Sequence, residues 1–137
     1  MVRKIEPNGL LRFEKNGGHD DRVILCEPVT VNTGKGPLHG VIGCVSAHFT
    51  KFDDPKRVTP HKDMYIDIGA ASAAGAAELG VQVGDTVTWA TPYREFGQNR
   101  AIGHGFDDKA GCAVIASVME TLDWERVHGT VVASFSV

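Results

Sequence analysis

The chain has 137 residues, 42% of them hydrophobic and 23% charged, with a formal net charge of −3. That size suits one ordinary domain, or one small domain with part of another. The balance is that of a globular chain, and it offers no polybasic surface for nucleic acid or for anionic lipid. No apolar run approaches the ~18 residues of a membrane span, and the opening Met1-Val2-Arg3-Lys4-Ile5-Glu6-Pro7 lacks the apolar stretch of a signal peptide. A cytoplasmic location is expected. Cys26, Cys44 and Cys112 show no Cys-x-x-Cys spacing, so they are expected to be reduced and mostly packed, with no disulfide framework and no zinc knuckle.

In chain order, Val2–Ile5 and Leu10–Phe13 flank Glu6-Pro7-Asn8-Gly9, a turn signal that predicts an antiparallel hairpin. Residues 17–21 break the pattern. Arg22–Cys26 and Val29–Val31 resume it as strands, with Pro28 at a strand end. Gly34-Lys35-Gly36-Pro37 predicts a second reversal, leading into a strand over His39–Val45. Residues 46–63 are polar, hold two prolines and His48, and show no period; a long loop of this kind tends to be functional or mobile.

Met64–Gly69 reads as the next strand, Ser72 is placed to cap a helix over 73–79, and Gly80 is placed to end it. A turn and a further strand follow over 81–89. About six short strands with glycine and proline punctuation and one small helix predict a small closed or half-closed barrel, so the fold class is mainly β. Residues 91–100 read as a polar connector.

The character then changes. A helix over about Asp108–Leu122 carries apolar residues on nearly every side, and such a helix is expected to be buried all round. Gly129–Val137 is an apolar β-run of the type found inside parallel sheets. One helix and one central strand cannot cover each other. Residues from about 100 onward are therefore expected to be part of a larger α/β domain.

His104, Asp107 and Asp108 lie in the glycine-flanked loop before this helix. Either aspartate would cap the helix by accepting hydrogen bonds from free backbone N–H groups, which requires no function. Alternatively, one carboxylate points away and binds a divalent cation such as zinc, cobalt, manganese or magnesium. A single aspartate is not a site, and a loop histidine such as His104 is more often solvated than ligating. No Ser-His-Asp or Cys-His arrangement is present, and Cys112 falls within the apolar helix, where a thiolate is disfavoured.

Several stretches together carry a resemblance: Met1–Ile5 with Gly9–Phe13, Gly40–Gly43 with His48, Tyr65–Gly69, Ala76–Val81 with Gly84-Asp85, and Phe106-Asp107-Asp108-Lys109-Ala110-Gly111-Cys112-Ala113-Val114. They resemble the tetrahedral and glutamyl aminopeptidases, metallopeptidase family forty-two, some of whose members carry the label endoglucanase. The resemblance implies an exopeptidase with two divalent metal ions, zinc or cobalt foremost, acting on peptides. Its α/β catalytic domain is interrupted by a small β-barrel lid used in homo-oligomers, from dimers to dodecameric cages.

On this basis residues 1–98 are the lid and 99–137 return to the catalytic domain. Asp107 matches the metal-bridging aspartate, and Asp108 and His104 are expected beside that ligand. Lys109 departs from the expected arginine. The remaining ligands and the carboxylate base would lie before Met1 and after Val137, so the chain alone is expected to be inactive. Two alternatives stand beside this: a free-standing oligomerisation or binding module without catalysis, and a glycoside hydrolase, which would need a facing carboxylate pair that cannot be assigned here.

Overall fold

The computed structural model describes residues 1–46, 48–49 and 57–136, which fall into two compact units, Met1–Thr91 and Pro92–Val137. In the first unit six strands form one antiparallel sheet: β1 (Val2–Ile5), β2 (Leu11–Phe13), β3 (Pro28–Thr33), β4 (Gly36–Gly43), β5 (Tyr65–Asp67) and β6 (Thr86–Trp89), in the order β1-β2-β5-β4-β3-β6. The sheet curls until its ends approach. The Val2 N–H donates to the Asp85 carbonyl (2.8 Å), and the Gly84 N–H donates to the Val2 carbonyl (2.8 Å). Two backbone bonds thus join the first strand to the entry of the last, and the result is a barrel-like, mainly β unit.

The expected hairpin forms, with Ile5 opposite Leu11 and Lys4 opposite Arg12. Its turn is closed by bonds from the Glu6 N–H to the Leu10 carbonyl (2.8 Å) and from the Gly9 N–H to the Glu6 carbonyl (2.9 Å). Gly9 sits at φ +86°, the left-handed region that glycine enters without steric cost. β3 and β4 form a second hairpin through Gly34-Lys35, with Thr33 opposite Gly36. Alternation along the strands sends Val29, Val31, Ile42 and Ile66 inward, where they meet Leu11 and Met64.

Helix α1 (Ala73–Glu78) closes this core. The Gly75 N–H donates to the Ser72 Oγ (3.0 Å), as the sequence predicts, and Ala76 is fully buried. The Ala73 N–H also donates to the Pro7 carbonyl (3.2 Å), which ties the helix start to the first turn.

Several expectations are corrected. Residues 22–26 are not a strand: Asp21–Val23 is a turn of 3₁₀ helix. Asp20 Oδ1 accepts from the Arg22 N–H (2.9 Å), and this local bond competes with a ladder. Cys26, at φ +66°, then ends any extended run, while Ile24 is buried nonetheless. The packed reading of the cysteines fails for Cys26 and Cys112, which are exposed; Cys44 is half-buried, and all three are free. The expected loop 46–63 is described only in part, since residues 47 and 50–56 lie outside the described residues, and His61–Asp63 forms a 3₁₀ turn.

In the second unit the connector expected over 91–100 instead contains a hairpin, β7 (Arg94–Phe96) and β8 (Arg100–Ile102), with Phe96 opposite Arg100. Gly97 and Asn99 take positive φ in its three-residue loop. Helix α2 (Phe106–Thr121) follows. No residue of α2 is buried in this unit; the burial expected of it was within a larger α/β domain. Within this unit no described element covers it, and Val114 and Val118 are at least half exposed. The β-run expected over 129–137 forms no ladder among the described residues, and Val137 lies outside them. A central strand needs neighbours on both edges, and the described part of this unit supplies none.

Candidate metal-ligand loop

β8 delivers the chain into Gly103-His104-Gly105, and Gly105 turns it with φ +76° and ψ +26°. Asp107 (φ −93°, ψ +107°) and Asp108 (φ −123°, ψ +47°) are both non-helical, and the peptide joining them is cis. The regular helix therefore begins after Asp108, close to the predicted start. Asp108 Oδ1 accepts a hydrogen bond from the Gly111 N–H at 2.8 Å, three residues into the helix. This is the geometry of an N-cap, and it satisfies one of the donors that a helix start leaves open.

Any side chain at residue 111 would require the capping carboxylate of Asp108 to shift. A Cβ there would lie 2.5 Å from Asp108 Oδ2 and 2.7 Å from Oδ1. Across the same turn Lys109 folds back over Gly105, whose added Cβ would meet Lys109 Cε at 3.2 Å.

The two carboxylates thus separate in role. Asp108 is engaged by the helix, whereas the Asp107 side chain is exposed and makes no hydrogen bond or ion pair among the described residues. An anionic oxygen left in this way at the mouth of a helix is available to a hard or borderline cation. His104 is also exposed and makes no side-chain hydrogen bond among the described residues. His48, in the first unit, is exposed, and its backbone N–H donates to Ser46 Oγ (3.3 Å).

No group of three His, Cys, Asp or Glu side chains able to hold a metal ion occurs among the described residues. One carboxylate falls short of the three or four protein ligands that zinc takes, so these residues do not by themselves fit a complete metal centre. The β7–β8 hairpin, which feeds the loop, was missed from sequence. Its signal was Gly97 and Asn99, two residues tolerant of positive φ, set between two short runs.

The model for the M42 glutamyl aminopeptidase family matches residues 1–137, the whole chain. The chain belongs to this M42 family. SgcX of Escherichia coli (strain K12) is 37% identical over 122 residues, covering 89% of the M42 chain and 33% of the relative. Among solved structures, the TET aminopeptidase from the marine sediment archaeon Thaumarchaeota archaeon SCGC AB-539-E09 superposes with a TM-score of 0.84 at 34% identity, over 93% of this chain and 36% of that one. The Pyrococcus horikoshii TET1 peptidase, described as assembling into a tetrahedron or a large octahedral shell, gives a TM-score of 0.77 at 34% identity, over 93% and 38%. The M42 chain thus spans about a third of the length of these relatives.

Proposed function

We propose that this chain is part of a metal-dependent aminopeptidase that removes N-terminal residues from peptides, and that it contributes a lid and one metal-bridging carboxylate, Asp107. On this reading residues 1–98 are the lid, used in homo-oligomer assembly in the cytoplasm, and 99–137 belong to the catalytic domain. The observation that carries it is the separation of the two aspartates: Asp108 caps α2, which leaves Asp107 exposed and unengaged among the described residues of a chain belonging to the M42 family.

Two divalent ions, zinc or cobalt, would supply Lewis-acid chemistry in the assembled enzyme. This chain's own part is narrower. The cap fixes the backbone at Asp108 and thereby the neighbouring carboxylate, while His104 and Asp108 stand beside Asp107. With one candidate ligand and no assigned carboxylate base among the described residues, the 137-residue chain is inactive alone on this reading.

The test uses the gene product that contains this segment and its Asp107→Asn variant, assayed on an aminoacyl chromogenic substrate and for bound metal. The proposal expects metal-dependent release by the parent, a loss of both metal and turnover in the variant, and no turnover by the 137-residue chain. Unchanged metal content in the variant would remove Asp107 from the site. A stand-alone assembly module is the second reading, favoured by the self-contained apolar core of Met1–Thr91. It expects a defined oligomer of the 137-residue chain by sedimentation and no peptidase activity in any form.

A further inference from the structure

Three stretches far apart in sequence meet at one end of β2. Glu14 Oε1 lies 2.8 Å from His61 Nε2, Asp21 Oδ2 accepts from the His61 N–H at 3.1 Å, and Asp21 Oδ1 lies 3.8 Å from His61 Nδ1. Lys15 Nζ donates to Asp21 Oδ1 (2.6 Å) and to the His19 carbonyl (2.7 Å). Arg3 approaches Glu14 at 3.9 Å, and the Met1 ammonium donates to the Glu14 carbonyl at 2.7 Å. The Phe13 ring lies 6.3 Å from that of His61, centroid to centroid. On the turn itself Lys62 and Asp63 flank the site, and Asp63 faces Arg57 at 3.6 Å.

The two carboxylates face opposite nitrogens of the imidazole, so they cannot converge with it on one ion. What they share is residue 61, which each holds from a different side.

We infer that Glu14 and Asp21 form a carboxylate latch, which fastens the His61–Asp63 turn to the barrel above the carboxylate titration range and releases it in acid while the barrel stays folded. Acid loosens all three contacts, because a hydrogen bond to a charged carboxylate oxygen is about twice as strong as one to a neutral carboxyl. Both carboxyls are held below their ordinary range, Glu14 chiefly by its bond to His61 and Asp21 chiefly by its bond to Lys15. The sign is that of groups depressed on folding: the contribution is present above the ordinary carboxyl range and is lost as pH falls through the depressed values.

Persistence of the barrel follows from its core, which is wholly apolar among the described residues and has no buried charge to titrate. Glu6, which pairs with Lys4 and Arg12 at the first turn, protonates in the same range without touching that core.

The test is amide hydrogen exchange on the 137-residue chain, corrected for intrinsic rates, in a series from about pH 6 down to about pH 1.5, below the depressed carboxyl values. His61 N–H reports the latch; Val2 and Ile42 N–H, both bonded to backbone carbonyls, report the barrel. The latch predicts that protection at His61 falls about tenfold or more in acid while that at Val2 and Ile42 holds within about twofold. Protection at His61 that ignores pH, or that falls in step with Val2 and Ile42, overturns it. In the double variant Glu14→Gln/Asp21→Asn the acid dependence at His61 is expected to vanish, and its survival would likewise overturn the latch. Should that variant fail to fold, the unmodified chain alone decides.

Discussion

Gly9 and Gly17 share one backbone conformation, φ +86°, in different surroundings. A Cβ on Gly9 would lie 2.3 Å from the Ala70 carbonyl oxygen, 2.8 Å from its carbon and 3.0 Å from the Ser72 nitrogen. All three are backbone atoms of the segment that leads into α1. A Cβ on Gly17 would meet nothing within 4 Å. Gly17→Ala therefore isolates the cost of a side chain in the left-handed region, about 1–2 kcal/mol. Gly9→Ala adds an overlap that no rotamer can relieve, for which about 1–3 kcal/mol is typical, giving about 2–5 kcal/mol in all.

Against the roughly 5–15 kcal/mol that holds a domain of ordinary size, the larger loss is severe. Urea unfolding followed by circular dichroism gives both values, and the midpoint should move much further for Gly9→Ala with little change in slope. Equal losses in the two variants would refute the reasoning, since they would mean that the first turn withdraws from α1 at negligible cost.

Ser72→Ala removes the acceptor for the Gly75 N–H and should cost about 1 kcal/mol in the same assay. Leu11→Ala, at a fully buried position of β2, should cost about 2–5 kcal/mol. Asp108→Ala should lower the helical signal of α2 by loss of the Gly111 bond, whereas Asp107→Asn should leave that signal unchanged; equal effects would undo the division of roles between the two aspartates. Arg22 holds the Asp20 carboxyl down to about 2 through its hydrogen bond, from an ordinary 3.8. Because the folded value is depressed, its stabilisation is complete above the ordinary value and fades as pH falls toward about 2; Arg22→Gln should flatten that part of the acid unfolding curve.

What could be read from sequence was whatever rests on local chemistry. Pro7-Asn8-Gly9 announces its turn, and Ser72 with Gly80 brackets α1, because each depends on neighbouring residues in the chain. The same holds for Asp108, whose cap needs only Gly111. Arg22–Cys26 misled for the converse reason. Val23, Ile24 and Leu25 have strand character, but the Asp20 side chain engages the next turn locally, and Ile24 reaches the core without belonging to a ladder.

The β7–β8 hairpin escaped because all six strand residues are exposed and no inward–outward alternation marks them. The closure at Val2 is carried by backbone groups alone and leaves no trace in side-chain pattern. For Asp107 the sequence supplied the carboxylate and the loop; no group of three His, Cys, Asp or Glu side chains able to hold a metal occurs among the described residues.

The bonds that join Val2 to Gly84 and Asp85 also set a schedule for biosynthesis. β1 and β2 can pair as soon as both have left the ribosome, but the outer edge of β1 must wait for about seventy further residues before its partner emerges. At about 5–20 residues per second that is roughly 4–14 seconds, long compared with the microseconds in which a hairpin forms. During that interval the nascent chain carries a strand edge with unpaired amides, open to pairing with a neighbouring nascent chain. Slowing elongation ahead of the Asp85 codon would lengthen the exposure, so synonymous changes between the codons for Phe13 and Asp85 should alter soluble yield without altering the folded product.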